Sequence, residues 1–222
     1  EGVAGKGKGL KANLNKTGPW RYWVVEALRE NKRMDRFATG LVTRGGGTGA
    51  GGAAGFSVAS QNEVPMAAKA HIIGTAFLGV EMKCARCHDS PYHETTQEDL
   101  FQMAAMLANQ PIEVPASSSV PRAFFEHVEK GGRESLIEVT LAIGSTVEEV
   151  WPFDELQREV PDSVLRDPDD SRERIAAQVT LSRRFAEVLV NRVWSRYIGA
   201  GIVEPVDDWE GNEPVDPKLL AF

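Results

Sequence analysis

Two cysteines are the whole thiol content of this chain, and they stand together as Cys84-Ala85-Arg86-Cys87, followed at once by His88. This is C-x-x-C-H, the attachment sequence for c-type haem. Two thiols three residues apart on one turn can each add across a vinyl group of the same porphyrin, and the next residue then aims an imidazole at the iron. Neutral imidazole is an ordinary axial ligand, and the second axial position decides between electron transfer and small-ligand binding. Other readings of the pair lack support. A thioredoxin-like C-x-x-C ends a strand in a βαβ pattern, whereas the neighbourhood here is helical. Half a zinc site needs two more ligands, and there is no other Cys and no second close His pair. Both cysteines are spent in one motif, which leaves no disulfide to read.

For the distal position the leading candidates are His93 and Met106. Behind them stand Met103, Met82, His71 and His127. A thioether ligand would raise the potential and a histidine would lower it. His93 lies five residues past His88, a span of about 16 Å of extended chain. A Met at helical spacing is more often core filler than ligand, and a lone histidine on an apolar helix, such as His71, is more often a hydrogen-bonded core residue. His127 is expected on a helix surface. Lys83 and Arg86 are expected to face solvent.

The elements that must position the motif are mostly helical. Trp20, Trp23, Val24, Ala27 and Leu28 form an apolar stripe behind Pro19, predicting a helix to about Asn31. A shorter helix is expected over Met34 to Val42, with Phe37 and Leu41 on one face. From Val64 to about Val80, the stripe Ile72, Ile73, Ala76, Phe77 and Val80 predicts the helix that delivers the chain to Cys84. After the motif, Thr96-Gln97-Glu98-Asp99 has the form of a capping box, and Leu100, Phe101, Ala104, Leu107 and Ala108 make the face of the helix it opens. Residues 111–121 hold three Pro and three Ser and read as a loop. The alternation of Ile137, Val139, Leu141 and Ile143 with Glu138, Thr140 and Ala142 predicts a half-buried strand over Glu134 to Ile143. Two more helices follow, Ser171 to Thr180 and Arg183 to Ile198, the second carrying Phe185, Leu189, Val193 and Tyr197 in register and ended by Gly199 and Gly201.

Two features compete for a functional reading and lose on context. Gly47-Thr48-Gly49-Ala50-Gly51-Gly52 fits G-x-G-x-x-G, but no strand precedes it and no βαβ pattern follows, so the Gly-rich run reads as a loop. The turn Glu204-Pro205-Val206-Asp207-Asp208-Trp209 brings three carboxylates together without the register of a calcium loop, and reads as a structural turn. No H-E-x-x-H, P-loop or Ser-His-Asp order occurs.

With 222 residues, 42% hydrophobic and 26% charged, the composition is that of an ordinary folded protein rather than a disordered or membrane-spanning one. Its net charge of −7 argues against nucleic acid as a partner. The run Ile72 to Val80 is too short for a transmembrane helix. Gly2 to Gly18 reads as a flexible or irregular lead-in. The chain starts without Met, shows no signal-peptide pattern and stops in what reads as the start of a helix, so it is taken as part of something longer.

The run Phe77-Leu78-Gly79-Val80-Glu81-Met82-Lys83-Cys84-Ala85-Arg86-Cys87-His88-Asp89, with Pro91 and Thr96-Gln97-Glu98-Asp99-Leu100, resembles the planctomycete-type cytochrome-c-like domain family. Upstream, Trp20-Arg21-Tyr22-Trp23-Val24 and Asp35-Arg36-Phe37 extend the likeness. Downstream, Val150-Trp151-Pro152-Phe153, Phe185-Ala186, Asn191-Arg192-Val193-Trp194 and Gly201 to Asp208 resemble the C-terminal partner domain usually found on the same polypeptide. The resemblance implies an exported haem protein with no assigned substrate. Many family members continue the motif as His-Asp-His-Pro or His-Asn-His-Pro, whereas this chain has His88-Asp89-Ser90-Pro91 and a histidine at His93. Asn191, Arg192 and Trp194 are expected to fix packing between units.

These readings give a mainly α fold: a cytochrome-c-like haem-binding unit over 1–115, a connector with one or two strands over 116–165, and the start of a helical C-terminal unit over 166–222. The expected cofactor is haem c, held by Cys84, Cys87 and His88, with His93 or Met106 as distal ligand. The expected function is single-electron transfer in the periplasm or at the cell surface, with a redox partner protein or a larger complex. The alternatives are an open-site haem oxidoreductase and a structural or scaffolding subunit.

Overall fold

The structure is a computed structural model and describes residues 19–43 and 65–221. The lead-in Gly2 to Gly18 and the Gly-rich segment Gly45 to Gly55 lie outside the described residues. The fold is mainly α, as expected, with eight helices and two short strands among the described residues.

Each helix follows from its sequence. Helix α1 spans Pro19–Arg29 and α2 spans Met34–Thr43. Trp23 stacks on Phe37 with ring centroids 4.8 Å apart, which locks the two together. Helix α3 runs Pro65–Ile73 and continues through a π-turn, Gly74–Leu78, that stops at Gly79 in the left-handed region. Met82 fills the space beside Gly74, where a Cβ would fall 2.5 Å from its Cε. Helix α4, Gln97–Ala108, opens with the capping box read from sequence: Thr96 accepts from the Asp99 N–H, and the Asp99 carboxylate accepts from the Thr96 N–H at 2.7 Å. Helix α5 is Arg122–Lys130, α6 is Ser171–Leu181, α7 is Arg183–Ile198 and α8 is Pro217–Ala221.

One apolar core gathers α2, α3, α4, α6 and the start of α7. Leu41, Ile73, Leu78, Leu100, Phe101, Met103, Ile175 and Val179 are all buried in it, and Val147, Phe153 and Leu156 close one side. Phe77 of the π-turn meets Phe185 of α7 with centroids 5.6 Å apart. A second, smaller cluster joins Val188, Val203 and Trp209.

Two expectations are corrected. The segment Glu134 to Ile143 forms no strand; the two strands are β1, Ile112–Glu113, and β2, Thr146–Val147, paired antiparallel with Ile112 opposite Val147. The alternation is nonetheless real: Ile137, Val139 and Leu141 are half-buried between exposed neighbours, while Ile143 is exposed. Period-two burial needs only one covered face, whereas a strand also needs a neighbour for its ladder. On α7 the buried residues are Phe185, Val188 and Asn191, and Val193 and Tyr197 are exposed. The helix outruns the main core, so beyond Val188 only Asn191 is fully covered, where the chain after Gly199 folds back on it.

Lys69 sits 2% exposed on α3 among apolar residues and donates from Nζ to the Val42 carbonyl at 3.1 Å. That carbonyl is in the last turn of α2, where a positive charge suits the helix dipole. Burial, and secondarily the Arg172 charge, lower the Lys69 ammonium from 10.5 to about 8. Between these values the unfolded chain holds a proton that the folded one has released, so this group's contribution to stability rises with pH from about 8 to 10.5. The shift corresponds to a change on the order of 3 kcal/mol. Urea unfolding across that window is expected to show the wild type gaining on Lys69→Met as pH rises. Parallel stability profiles for the two proteins would contradict a strained, buried Lys69.

Candidate functional site

The motif sits where the π-turn, the N-terminus of α4 and the 134–143 segment converge. After Gly79 the chain runs without regular structure to Met82, which is fully buried, and then makes a single 3-10 turn, Cys84–Arg86. The Cys87 and His88 N–H groups both donate to the Cys84 carbonyl, at 3.1 and 3.4 Å, so the two cysteines and the histidine share one turn. Ala85 is fully buried beneath it, whereas Cys84, Cys87 and His88 are half-buried and Lys83 is exposed. The back of the turn faces the core and its reactive side chains face outward. Both thiols are free, and Cys87 Sγ lies 3.9 Å from the Ser117 carbonyl.

The imidazole of His88 has a defined tautomer. Its Nδ1 lies 2.7 Å from the Asp89 carbonyl oxygen, an acceptor only, so Nδ1 is the donor, and in the neutral ring the lone pair lies on Nε2. This arrangement, one ring nitrogen donating to backbone and the other bare, is how a ligating histidine is oriented. Asp89 is itself held at four points. Its N–H donates to the Glu138 carbonyl at 2.8 Å, and its Oδ1 accepts from the Gln97 N–H at 2.7 Å and the Thr140 hydroxyl at 3.0 Å. Gln97 is the first residue of α4, so a carboxylate stands at that helix's positive end.

His93 points elsewhere. Its Nε2 donates to Asp208 Oδ2 at 2.8 Å, and its Nδ1 is 3.1 Å from the Ser90 hydroxyl. Both ring nitrogens are therefore engaged. Met106 and Met103 are buried in the core, as is Met82. His127 is exposed on α5. His71, on α3, lies 3.3 Å from the Thr75 hydroxyl and 3.5 Å from Glu81 Oε1; burial lowers its pKa, against the opposing pull of Glu81.

The turn after α7 clamps the chain leading into the motif. Gly79 has φ +67°, and a Cβ there would fall 2.5 Å from Trp209 Cδ1, so the indole lies directly on a residue that must be glycine. The Trp209 backbone N–H donates to the Gly79 carbonyl at 2.8 Å. Arg184 covers the other part of the indole, 4.9 Å from its centroid. Glu210 accepts from the Glu94 N–H. Asn191, fully buried, pins the turn to α7: its Nδ2 donates to the Val203 carbonyl at 2.8 Å and its Oδ1 accepts from the Ile202 and Val203 N–H groups at 2.6 and 3.0 Å. Arg192 donates to the Thr75 carbonyl of the π-turn at 2.6 Å. Sequence reasoning placed Asp208 and Trp209 in a structural turn but gave no partner for either, because those partners lie more than a hundred residues away.

The His93–Asp208 pair is less than one quarter exposed on both sides, so breaking it leaves a poorly solvated charge. In a double-mutant cycle of His93→Phe and Asp208→Asn, measured by urea unfolding, the two changes are expected to couple by about 1 kcal/mol or more. Additive effects would show that the contact holds nothing.

Two family models match the chain. Residues 4–111 match PSCyt2, "Protein of unknown function (DUF1549)", and residues 171–222 match PSD1, "Protein of unknown function (DUF1553)". No curated protein and no solved structure matches. The His93–Asp208 and Gly79–Trp209 contacts join the two matched segments. Their order along the chain is that of planctomycete-type cytochrome-c-like proteins, in which a C-terminal partner domain follows.

Proposed function

We propose that this chain is an extracytoplasmic c-type haem protein, of the periplasm or cell surface, that passes single electrons to a redox partner or within a larger complex. The observation that carries the reading is the His88 tautomer beside two free thiols on one outward-facing turn. The donor set fits the group: Cys84 and Cys87 would hold a porphyrin by thioethers, and His88 Nε2 would ligate the iron. A haem bound there supplies a one-electron redox centre. What the protein contributes is a ring already oriented for ligation: Nδ1 donates to the Asp89 carbonyl, which leaves Nε2 as the nitrogen that would face the iron. Asp89 fixes the imidazole's orientation through its carbonyl, and its other three bonds keep that carbonyl in place. The compartment follows from the chemistry, because covalent haem attachment in bacteria takes place outside the cytoplasm.

A second reading, a haem with an open distal position, is favoured by one observation. His93 spends both ring nitrogens on Asp208 and Ser90, and Met82, Met103 and Met106 lie in the core, so none of these candidates presents a free donor. Electron transfer and open-site chemistry separate on spin state. The oxidised and dithionite-reduced visible spectra distinguish a six-coordinate low-spin iron from a high-spin one that binds carbon monoxide.

Produced in a periplasm equipped for c-type maturation, the wild type is expected to keep haem stain on a denaturing gel. Cys84→Ala with Cys87→Ala should lose it, and His88→Ala, which keeps both thiols but removes the axial imidazole, should change the spectrum of any haem it retains. A double cysteine variant that remains stained would overturn the proposal. His93→Phe serves as the control for the distal position: an unchanged spectrum is the expected result, and a change of spin state would make His93 a ligand after all.

A further inference from the structure

Away from the motif, the groove between α2 and α6 opens into a cleft of about 530 Å³, within the size range of small-molecule sites. None of its lining residues belongs to the Cys84–Asp89 segment or to the contacts that hold it. One wall is aromatic. The ring edge of Trp23 lies against Gly40 of α2, 3.5 Å from where a Cβ there would stand, an ordinary van der Waals contact. The Lys32 ammonium is 5.4 Å from the Trp23 ring centroid, and the opposite wall is made by Ala176, Ala177 and Leu165.

The charges around the cleft are unbalanced. Lys32, Arg36 and Arg166 line it, and among the described residues none of the three makes an ion pair. Of the two carboxylates present, Asp35 is occupied by the Arg33 guanidinium at 3.2 and 2.8 Å and by the Arg36 N–H at 2.8 Å. Glu173 accepts through Oε2 from the Arg166 and Asp167 N–H groups at 2.6 and 3.2 Å. A chain with a net charge of −7 thus keeps a locally positive, aromatic-walled cleft.

We propose that this cleft binds an organic carboxylate, with the anionic end received by Arg36 and Arg166 and an apolar body against Ala176, Ala177 and Leu165, beside the edge of Trp23. Guanidinium groups match a carboxylate with paired N–H donors; the Trp23 ring is already stacked on Trp20 and Phe37, so it meets the cleft by its edge and the apolar area comes from Ala176, Ala177 and Leu165. A polyanion such as a nucleotide suits the site poorly. Glu173 keeps a negative charge inside the cleft, and the hydroxyls of Thr39, Thr43 and Thr180 are turned back onto backbone carbonyls of their own helices at 2.8 Å instead of facing a phosphate.

The test uses benzoate as probe on the full chain, following the Trp23 indole N–H by ¹⁵N-correlated NMR, with its signal assigned from Trp23→Phe. Benzoate is expected to shift that signal saturably in the millimolar range, and the neutral isostere benzamide to bind at least about tenfold more weakly. Arg36→Gln with Arg166→Gln should weaken benzoate by about tenfold or more while leaving the rest of the spectrum in place, since both side chains are exposed. Equal binding of benzoate and benzamide, unchanged benzoate affinity in the double variant, or an unmoved Trp23 signal at about 50 mM benzoate would each overturn the proposal. None of these readouts depends on haem.

Discussion

Asp89 ties together three pieces of chain: the motif turn, the start of α4 and the 134–143 segment. Its carbonyl takes the His88 Nδ1 proton, its carboxylate takes the first N–H of α4 and the Thr140 hydroxyl, and its own N–H reaches the Glu138 carbonyl. Each bond alone is worth about 1 kcal/mol, somewhat more where the acceptor is charged. Their value lies in being made by one residue. Moving Asp89 to re-aim the imidazole would strip a helix N-terminus of its carboxylate and release the 134–143 segment together. The motif is preorganised because its neighbour's position is over-determined.

A second constraint comes from the far end of the chain. The turn after α7 lays Trp209 on Gly79 and Asp208 on His93, while Asn191 holds that turn against its own helix. Gly79 ends the π-turn and begins the irregular run into Cys84, so the indole fixes the chain just where its direction changes. His93 fixes the loop that leaves the motif on the other side. Entry to the motif and exit from it are thus both anchored on the segment matched by the second family model. The two matched segments are parts of one packed body around the motif, and the Phe77–Phe185 contact extends that joining into the main core.

How much of this could be read from sequence depends on the range of the interaction. The helices came from local period, and the α4 capping box from three-residue spacing, because those signals are complete within a few residues. The 134–143 segment shows the limit of a local signal: alternation reported its one covered face correctly and its hydrogen bonding wrongly. The register of α7 failed for a related reason, since a chain folding back from residue 200 chooses which side is buried. Of the site itself, Cys84, Cys87 and His88 were legible as a motif. The His88 tautomer, the engagement of His93 by a carboxylate 115 residues away and the seating of Lys69 on the end of α2 were not. Each of these needs a partner that only the tertiary fold supplies.

The claim on which the rest depends is that Cys84, Cys87 and His88 hold a covalent haem, and the intact mass of the protein recovered from a maturation-competent periplasm tests it most directly. The account predicts the polypeptide plus one haem, a mass that survives denaturation and leaves no thiol to alkylate. The bare polypeptide mass, with Cys84 and Cys87 both open to alkylation, would contradict it.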